Sequence, residues 1–450
     1  MKQNQGNKQK NIQSKPLRKI MVMIIAMIFV FTDCQKNTKE FLLLQLIYIS
    51  SVATNSGPTF TPAIGVLDTS FNSPKGFIIQ PIGLSDDCGR SLAIQSDGKI
   101  LLGGSCDLDF CIARFNSDGT LDTTFGSSGK VIQDISSFYD AGLSLAIQPD
   151  GKILLGGHCS GRFCIARFNS NGTPDTSFGT SGKVIQPIGY SLDSGKSLAI
   201  QPDGKILLGG YCFNLSNNNY DFCIARFNSN GTLDTSFGSS GKVMQPIGYS
   251  GDYKQYLAIQ PDGKILLGGR CSNGFCIARF NSNGTLDTTF GNSGKVILPI
   301  APASYDIGFS LAIQPDGKIL LGSSCGGGPT NNDFCIARLN PNGTLDTSFG
   351  NGGKVIQDID SPHDYGNSLA IQPDGKIILG GFCNNDFCIA RFNSNGTLDT
   401  SFGTNGKVIQ PIGYSFDEGY SLAIQPDGKI LLGGYCQGVS NFDFCIARFK

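Results

Sequence analysis

The sequence predicts an all-β fold, a seven-bladed propeller of four-stranded antiparallel blades, and three observations carry that prediction. One unit recurs seven times, each copy consists of short β-type runs separated by tight turns, and the two ends of the array complement each other. The Asp of a DGK turn marks the copies at Asp97, Asp150, Asp203, Asp262, Asp316, Asp374 and Asp427, spaced 53, 53, 59, 54, 58 and 53 residues apart. A period of that length, filled with strand and turn signals, is the pattern of propeller blades.

The copy beginning at Ser197 shows why each element forms. Ser197–Gln201 (SLAIQ) alternates, with Leu198 and Ile200 on one face. Pro202-Asp203-Gly204 then turns the chain, because Pro presets φ, Asp bonds its own backbone and Gly accepts positive φ. Lys205–Gly210 (KILLGG) is a second, more apolar strand, and Phe222–Phe227 (FCIARF) is a third. A turn at Asn228–Thr232 and the segment Leu233–Gly238 (LDTSFG) lead to a fourth at Lys242–Ile247 (KVMQPI). One such sheet cannot bury both faces alone, so neighbours must stack on it. The fourth-strand sequence first appears at Phe77–Ile82 (FIIQPI), ahead of the first SLAIQ, and the chain stops just after a third strand at Phe444–Lys450. Pairing Phe77–Ile82 with Cys445–Phe449 is expected to close the ring and remove its open edges.

The unit DGKILLGG…FCIARFNSNGTLDTSFG…GKVIQPIG resembles the delta-60 repeat, found in exported bacterial proteins. The resemblance covers residues 65–450 and implies a propeller-like fold. It implies no particular activity, since propellers host many unrelated functions.

Composition agrees with a turn-rich β protein: 60 Gly, no Trp and 16% charged residues among 450. Formal charge is balanced, which leaves no electrostatic footprint for nucleic acid. Residues 1–33 contain six basic groups and one acid, so the remainder carries 29 basic against 34 acidic groups, a net of −5. That N-terminal stretch reads as a signal peptide. A positive leader (Lys2 to Lys19) precedes twelve apolar residues, Ile20–Phe31, too few to span a bilayer. Cys34 follows it as in the lipobox of bacterial lipoproteins, although Phe31-Thr32-Asp33 departs from the small residues usual there. Export to the cell envelope or the extracellular space, with lipidation at Cys34 as a membrane anchor, is therefore expected. Residues 34–64 read as a tether and linker ahead of the repeats.

Because strand direction alternates, the DGK turn and the NGT(L/P)DT(S/T)FG connection emerge on one rim, which is nearly invariant among the copies. The other rim varies. Its loop between strands two and three has four residues at Asp107–Phe110, ten at Phe213–Phe222, nine at Gly326–Phe334 and eight at Gln437–Phe444. Variation confined to one rim of a rigid scaffold is the pattern of a recognition surface, or of loops that drift unconstrained. An Asp stands five residues before the Leu of every first strand: Asp87, Asp140, Asp193, Asp252, Asp306, Asp364 and Asp417. These carboxylates either ring the channel mouth and attract cations, or accept hydrogen bonds from their own loops.

Fourteen of the 16 cysteines form one pair per repeat: Cys106 with Cys111, Cys159 with Cys164, Cys212 with Cys223, Cys271 with Cys276, Cys325 with Cys335, Cys383 with Cys388 and Cys436 with Cys445. Both members persist while the loop between them varies, and in an exported chain the expected product is a disulfide. Buried thiols are the alternative, and metal ligation is disfavoured because two ligands per blade fall short of a structural zinc site. His158 and His363, the only histidines, occupy no repeated or clustered position, and no catalytic signature appears. The Arg of each IAR segment, such as Arg114 or Arg226, is expected to pair with an LDT aspartate such as Asp122 or Asp234. The function expected is a non-catalytic binding module without cofactor or metal, monomeric, holding a protein or glycan on its variable rim. Two alternatives stay open: a propeller lyase or hydrolase acting on glycans through rim carboxylates such as Asp417 and Glu418, and a scaffold with no specific ligand.

Overall fold

Alternating apolar residues and Gly-containing turns build the same four strands in every copy. The computed structural model describes residues 65–136, 139–190, 192–247, 253–271, 274–299, 307–328, 331–360 and 363–450. The signal-peptide reading of 1–33, the tether at 34–64 and Cys34 lie outside the described residues. In the copy at Ser197 the strands run Ser194–Ile200, Ile206–Asn214, Asn219–Phe227 and Lys242–Gln245. The turn joining the first two is set by Gly204, whose φ of +81° only glycine adopts at little cost. Asp203 Oδ1 accepts the Lys205 N–H at 3.1 Å, and the Gly204 N–H donates to the Gln201 carbonyl.

Seven four-stranded antiparallel sheets result. Blades 1 to 6 are each a run of consecutive strands, beginning at Asp87–Ile94 and ending at Lys407–Gln410. Blade 7 consists of Asp417–Ile424, Ile430–Gln437 and Phe442–Phe449, with Phe77–Gln80 as its outer strand. Phe77 pairs with Ala447 and Gln80 with Phe444, so the N-terminal strand closes the ring as the complementary ends require.

The closure begins earlier than the Phe77–Ile82 strand. Leu67 bridges Phe449, the Lys450 N–H donates to the Val66 carbonyl at 2.9 Å, and Asp68 Oδ2 accepts from Arg448 Nε at 2.9 Å. Val66–Phe71 (VLDTSF) thus supplies blade 7 with the LDTSF segment that every other blade carries, in this or a closely similar form, after its third strand.

The core lies between blades. Leu101, Phe110 and Ile112 of blade 1 pack with Leu145, Ile153, Leu155 and Phe168 of blade 2, and the same set recurs around the ring. Each such side chain contributes roughly 1.5–3 kcal/mol on burial. Near the axis, the first strands touch through a hydroxyl latch: the Leu145 N–H donates to Ser91 Oγ of the preceding blade (2.9 Å), Leu198 to Ser144 (3.0 Å) and Leu422 to Ser368 (3.0 Å). Neighbouring blades approach so closely that a Cβ on Gly89 would lie 2.3 Å from the Gly434 carbonyl oxygen of blade 7. Among the described residues no helix is long and apolar enough to cross a membrane.

Candidate ligand site on the propeller axis

The invariant rim is an inter-blade belt. Arg114 Nε donates to Asp122 Oδ2 at 2.8 Å, and the Arg226–Asp234 pair has the same length. A Lys from the DGK turn adds a second cation, as Lys99 does to Asp122 at 2.8 Å, and the Arg plane stacks on a Phe of the same segment at 4.5 Å. The guanidinium also reaches the next blade, Arg226 to the Ser282 carbonyl, Arg279 to that of Pro341 and Arg448 to that of Ser117. Burial works against the charge of Asp287. The Thr289 hydrogen bonds and the Arg279 charge outweigh it and hold the carboxyl down at about 2. The Asn-Gly-Thr sequences belong to this belt as turns, since Asn171 Oδ1 accepts from the Thr173 N–H and the Asn171 carbonyl accepts from Gly126 of blade 1.

On the variable rim, the repeated aspartates cap their own connections and do not ring an open mouth. Asp87 accepts the N–H groups of Ile82 (2.6 Å) and Gly83 (3.0 Å), and Asp417 those of Ile412 (2.6 Å) and Gly413 (2.9 Å). Asp140, Asp193 and Asp364 do the same, and all five are buried. Asp252 and Asp306 lie outside the described residues. Burial pushes Asp87, Asp364 and Asp417 up to about 6 against the pull of these N–H donors. Two blade junctions gather three carboxylates, Asp109/Asp134/Asp140 and Asp333/Asp358/Asp364, where the usual QPI reads QDI.

Each repeated cysteine pair is a disulfide at the base of a variable hairpin, and not a pair of buried thiols. Cys106 is bonded to Cys111, Cys159 to Cys164, Cys212 to Cys223 and Cys271 to Cys276. Cys325 is bonded to Cys335, Cys383 to Cys388 and Cys436 to Cys445. The Cα–Cα distances stay between 5.7 and 6.0 Å whatever the length of the loop above, because strand register fixes both cysteines before the loop begins. Seven such bridges fit an oxidising, extracellular environment. Above the Cys212–Cys223 bridge the loop at Phe213–Phe222 continues as paired strands to Asn214 and Asn219, with Tyr220 edge-on to Tyr211 and Phe213 at 5.3 Å.

Symmetry breaks in a place that sequence reasoning missed. Every first strand carries a one-residue bulge just before its Ser or, in blade 4, Tyr256. The extra residue differs in each blade: Arg90, Leu143, Lys196, Gln255, Phe309, Asn367 and Tyr420. The residue before the first Cys of each pair varies too, running Ser105, His158, Tyr211, Arg270, Ser324, Phe382 and Tyr435. Its cross-strand partner, the residue after the repeated Asp, varies with it, as in Glu418 opposite Tyr435. Strand register sets all three positions at one level, at the variable-rim end of the innermost strands.

There they meet across blades. Arg90 lies 4.1 Å from the Tyr420 ring centroid and 5.4 Å from that of Tyr435, both in blade 7. Glu418, buried, accepts the Tyr420 and Tyr435 hydroxyls at 2.6 and 2.7 Å. Burial raises the Tyr256 phenol and the Arg90 charge opposes the rise, although blades 1 and 4 stand on opposite sides of the ring. Ser194 of blade 3 shares a 2.9 Å hydrogen bond with His158 Nδ1 of blade 2, so this histidine sits within the axial cluster after all. Asn367 donates to the Gly419 carbonyl, and Tyr365 stacks on Phe382 at 4.6 Å. Asp417 and Glu418 do not form a carboxylate pair, because neighbours on a strand face opposite ways: Asp417 turns to its loop and Glu418 to the tyrosines. A signal for this site does exist in the sequence: within otherwise constant strands, these three positions change from copy to copy.

No curated protein matches the chain. Among solved structures, a streptogramin B lyase is similar at TM-score 0.52 and 13% identity, over 83% of this chain and 97% of that one. A catalytically inactive virginiamycin B lyase from Staphylococcus aureus with quinupristin is similar at 0.51 and 15%, over 83% and 99%. A polysaccharide lyase described as a PL25 ulvan lyase gives 0.51 and 13%, over 83% and 95%. At such identities the likeness shows the propeller fold alone. Seven segments, residues 95–125, 148–178, 201–237, 260–290, 314–349, 372–402 and 425–450, match the family model described as "Domain of unknown function (DUF5122) beta-propeller", so each blade contains a segment similar to that β-propeller repeat.

Proposed function

We propose that the protein is an exported binding module that holds a protein or glycan ligand at the variable-rim end of its axis, with the disulfide-based hairpins as surrounding walls. One observation carries the reading: the strand positions that differ between blades converge at the end where the connecting loops also differ. A ring that only had to be a scaffold would have no reason to break its symmetry at one end of the axis. The resemblance to delta-60 repeats of exported proteins, the leader at residues 1–33 and the lipobox-like Cys34 support delivery to the cell envelope with a lipid anchor. A glycan-cleaving propeller is the weaker reading, because the carboxylates expected to serve it, Asp417 and Glu418, point to opposite faces of their strand. Glycan and peptide arrays probed with the disulfide-bonded propeller test the proposal. A ligand should be captured, lost on Tyr420→Ala, and retained on Asp203→Ala at the opposite rim. Equal loss from both substitutions would dismiss the axial site.

A further inference from the structure

The charge of the axial cluster points to one class of ligand. Residues 34–450 carry a net charge of −5, yet the blade-specific axial positions hold three cations, Arg90, Lys196 and Arg270, against one carboxylate, Glu418. That carboxylate is buried and already accepts two phenolic hydroxyls, whereas the three cations are half-exposed. Asp107, in the hairpin of blade 1, is engaged by the Leu84 and Ser85 N–H groups of the neighbouring connection at 2.8 and 2.9 Å, and the carboxylate groups at Asp109/Asp134/Asp140 and Asp333/Asp358/Asp364 lie at blade junctions. Three half-exposed cations among the axial strands give that spot a local positive charge, which draws anions. Aromatic faces stand among the cations: Lys196 lies 5.5 Å from the Tyr211 ring centroid, and Arg90 packs on Tyr420. Cations interleaved with rings suit a ligand that is itself a ring bearing a carboxylate, the ring lying on tyrosine and the carboxylate meeting guanidinium or ammonium.

We infer that the axial site, given the binding role proposed above, takes an acidic saccharide whose uronate carboxylates are met by Arg90 and Lys196. Titration calorimetry of the disulfide-bonded protein checks this with a galacturonate oligomer, a galactose oligomer of equal length and sodium sulfate. The galacturonate oligomer should bind at least about tenfold tighter than the other two, and its affinity should fall as salt is raised. Arg90→Gln and Lys196→Gln, each with an unchanged melting temperature, should each weaken it by about tenfold. No binding of the galacturonate oligomer, equal binding of the galactose oligomer, or unchanged affinity in both variants overturns the inference. Sulfate binding as tightly as the oligomer would also overturn it, since the site would then take simple anions. A neutral oligomer that binds wild type, and is lost on Tyr420→Ala but kept on Arg90→Gln, would sink the acidic class while leaving the axial binding role in place.

Discussion

The two rims of this propeller use the same residue type, aspartate, to opposite ends. On the invariant rim Asp122, Asp234 and their counterparts sit between an Arg and a Lys, and the same Arg bonds the next blade. The Arg there has obligations to two blades, so a change in one copy disturbs its neighbour. On the variable rim Asp87, Asp364 and Asp417 are buried against backbone N–H groups of their own connection. The side-chain obligation is local, and the hairpins meet the next blade through backbone groups, as where the Asp140 N–H donates to the Leu108 carbonyl at 2.8 Å and the Asp417 N–H to the Asn385 carbonyl at 2.7 Å. Inter-blade ties through particular side chains keep one rim uniform, and ties through the backbone, which any residue can supply, let the other diverge.

Breaking the belt should have the largest effect. Asp68 is fully buried and faces Arg448 at 2.9 Å and Lys429 at 3.4 Å, where the N-terminal segment seals the ring. Asp68→Ala would leave the buried Arg448 without its carboxylate and Lys429 with Asp427 alone, and should cost about 3–5 kcal/mol in guanidinium unfolding. A loss below about 1 kcal/mol, the scale of an exposed ion pair, would mean the seal rests on the outer strand Phe77–Gln80 alone.

The next effect separates the rims by pH. The raised carboxylates of the variable rim bind protons more readily folded than unfolded, so their contribution to stability grows as pH falls from 7 through about 6 towards 4. The lowered carboxylates of the belt act the other way. Their contribution is complete above about 4 and is lost as pH drops further through the folded value, about 2 for Asp287. The melting temperature should therefore peak between about pH 4 and 5, with each raised Asp changing stability by on the order of 1–2 kcal/mol across the upper limb. Asp364→Asn should flatten part of that limb; a limb unchanged in this variant would refute the assignment.

Smallest of all should be the effect of shortening a variable hairpin. Replacing residues 213–222 by the four-residue loop found at Asp107–Phe110 should alter unfolding free energy by less than about 0.5 kcal/mol, since the removed segment lies beyond the Cys212–Cys223 bridge. A loss comparable to that of Asp68→Ala would erase the distinction between the rims.

Much of this architecture is legible in the chain. Repetition of DGK and FCIAR announces seven units of four strands, and the spare strand before the first copy announces how the ring closes. The LDTSF at Leu67–Phe71 is harder to place, since the whole length of the ring separates it from the third strand that it completes. Arg–Asp pairing on the belt can be foreseen because both partners repeat eight residues apart, as in Arg114 and Asp122. The cysteines can be paired for a similar reason, because Cys111 or Cys388 stands in its strand opposite the same point of the preceding one in every copy. The axial cluster is different, because Arg90, Tyr420 and Tyr435 share no local pattern.

What the sequence determined by itself, then, was everything that repeats: strand period, turn chemistry, cysteine pairing and the number of blades. These depend on residues close together in the chain, and seven copies state each of them seven times. Tertiary structure alone decided which residues face one another over the axis. The bulge that presents Arg90 is a property of the folded blade, and the closure that brings blade 7 beside blade 1 is one of the completed ring. Only then does a residue at position 90 stack on one at position 420, while a carboxylate such as Asp417, seemingly poised at the mouth, is taken up by the backbone beside it.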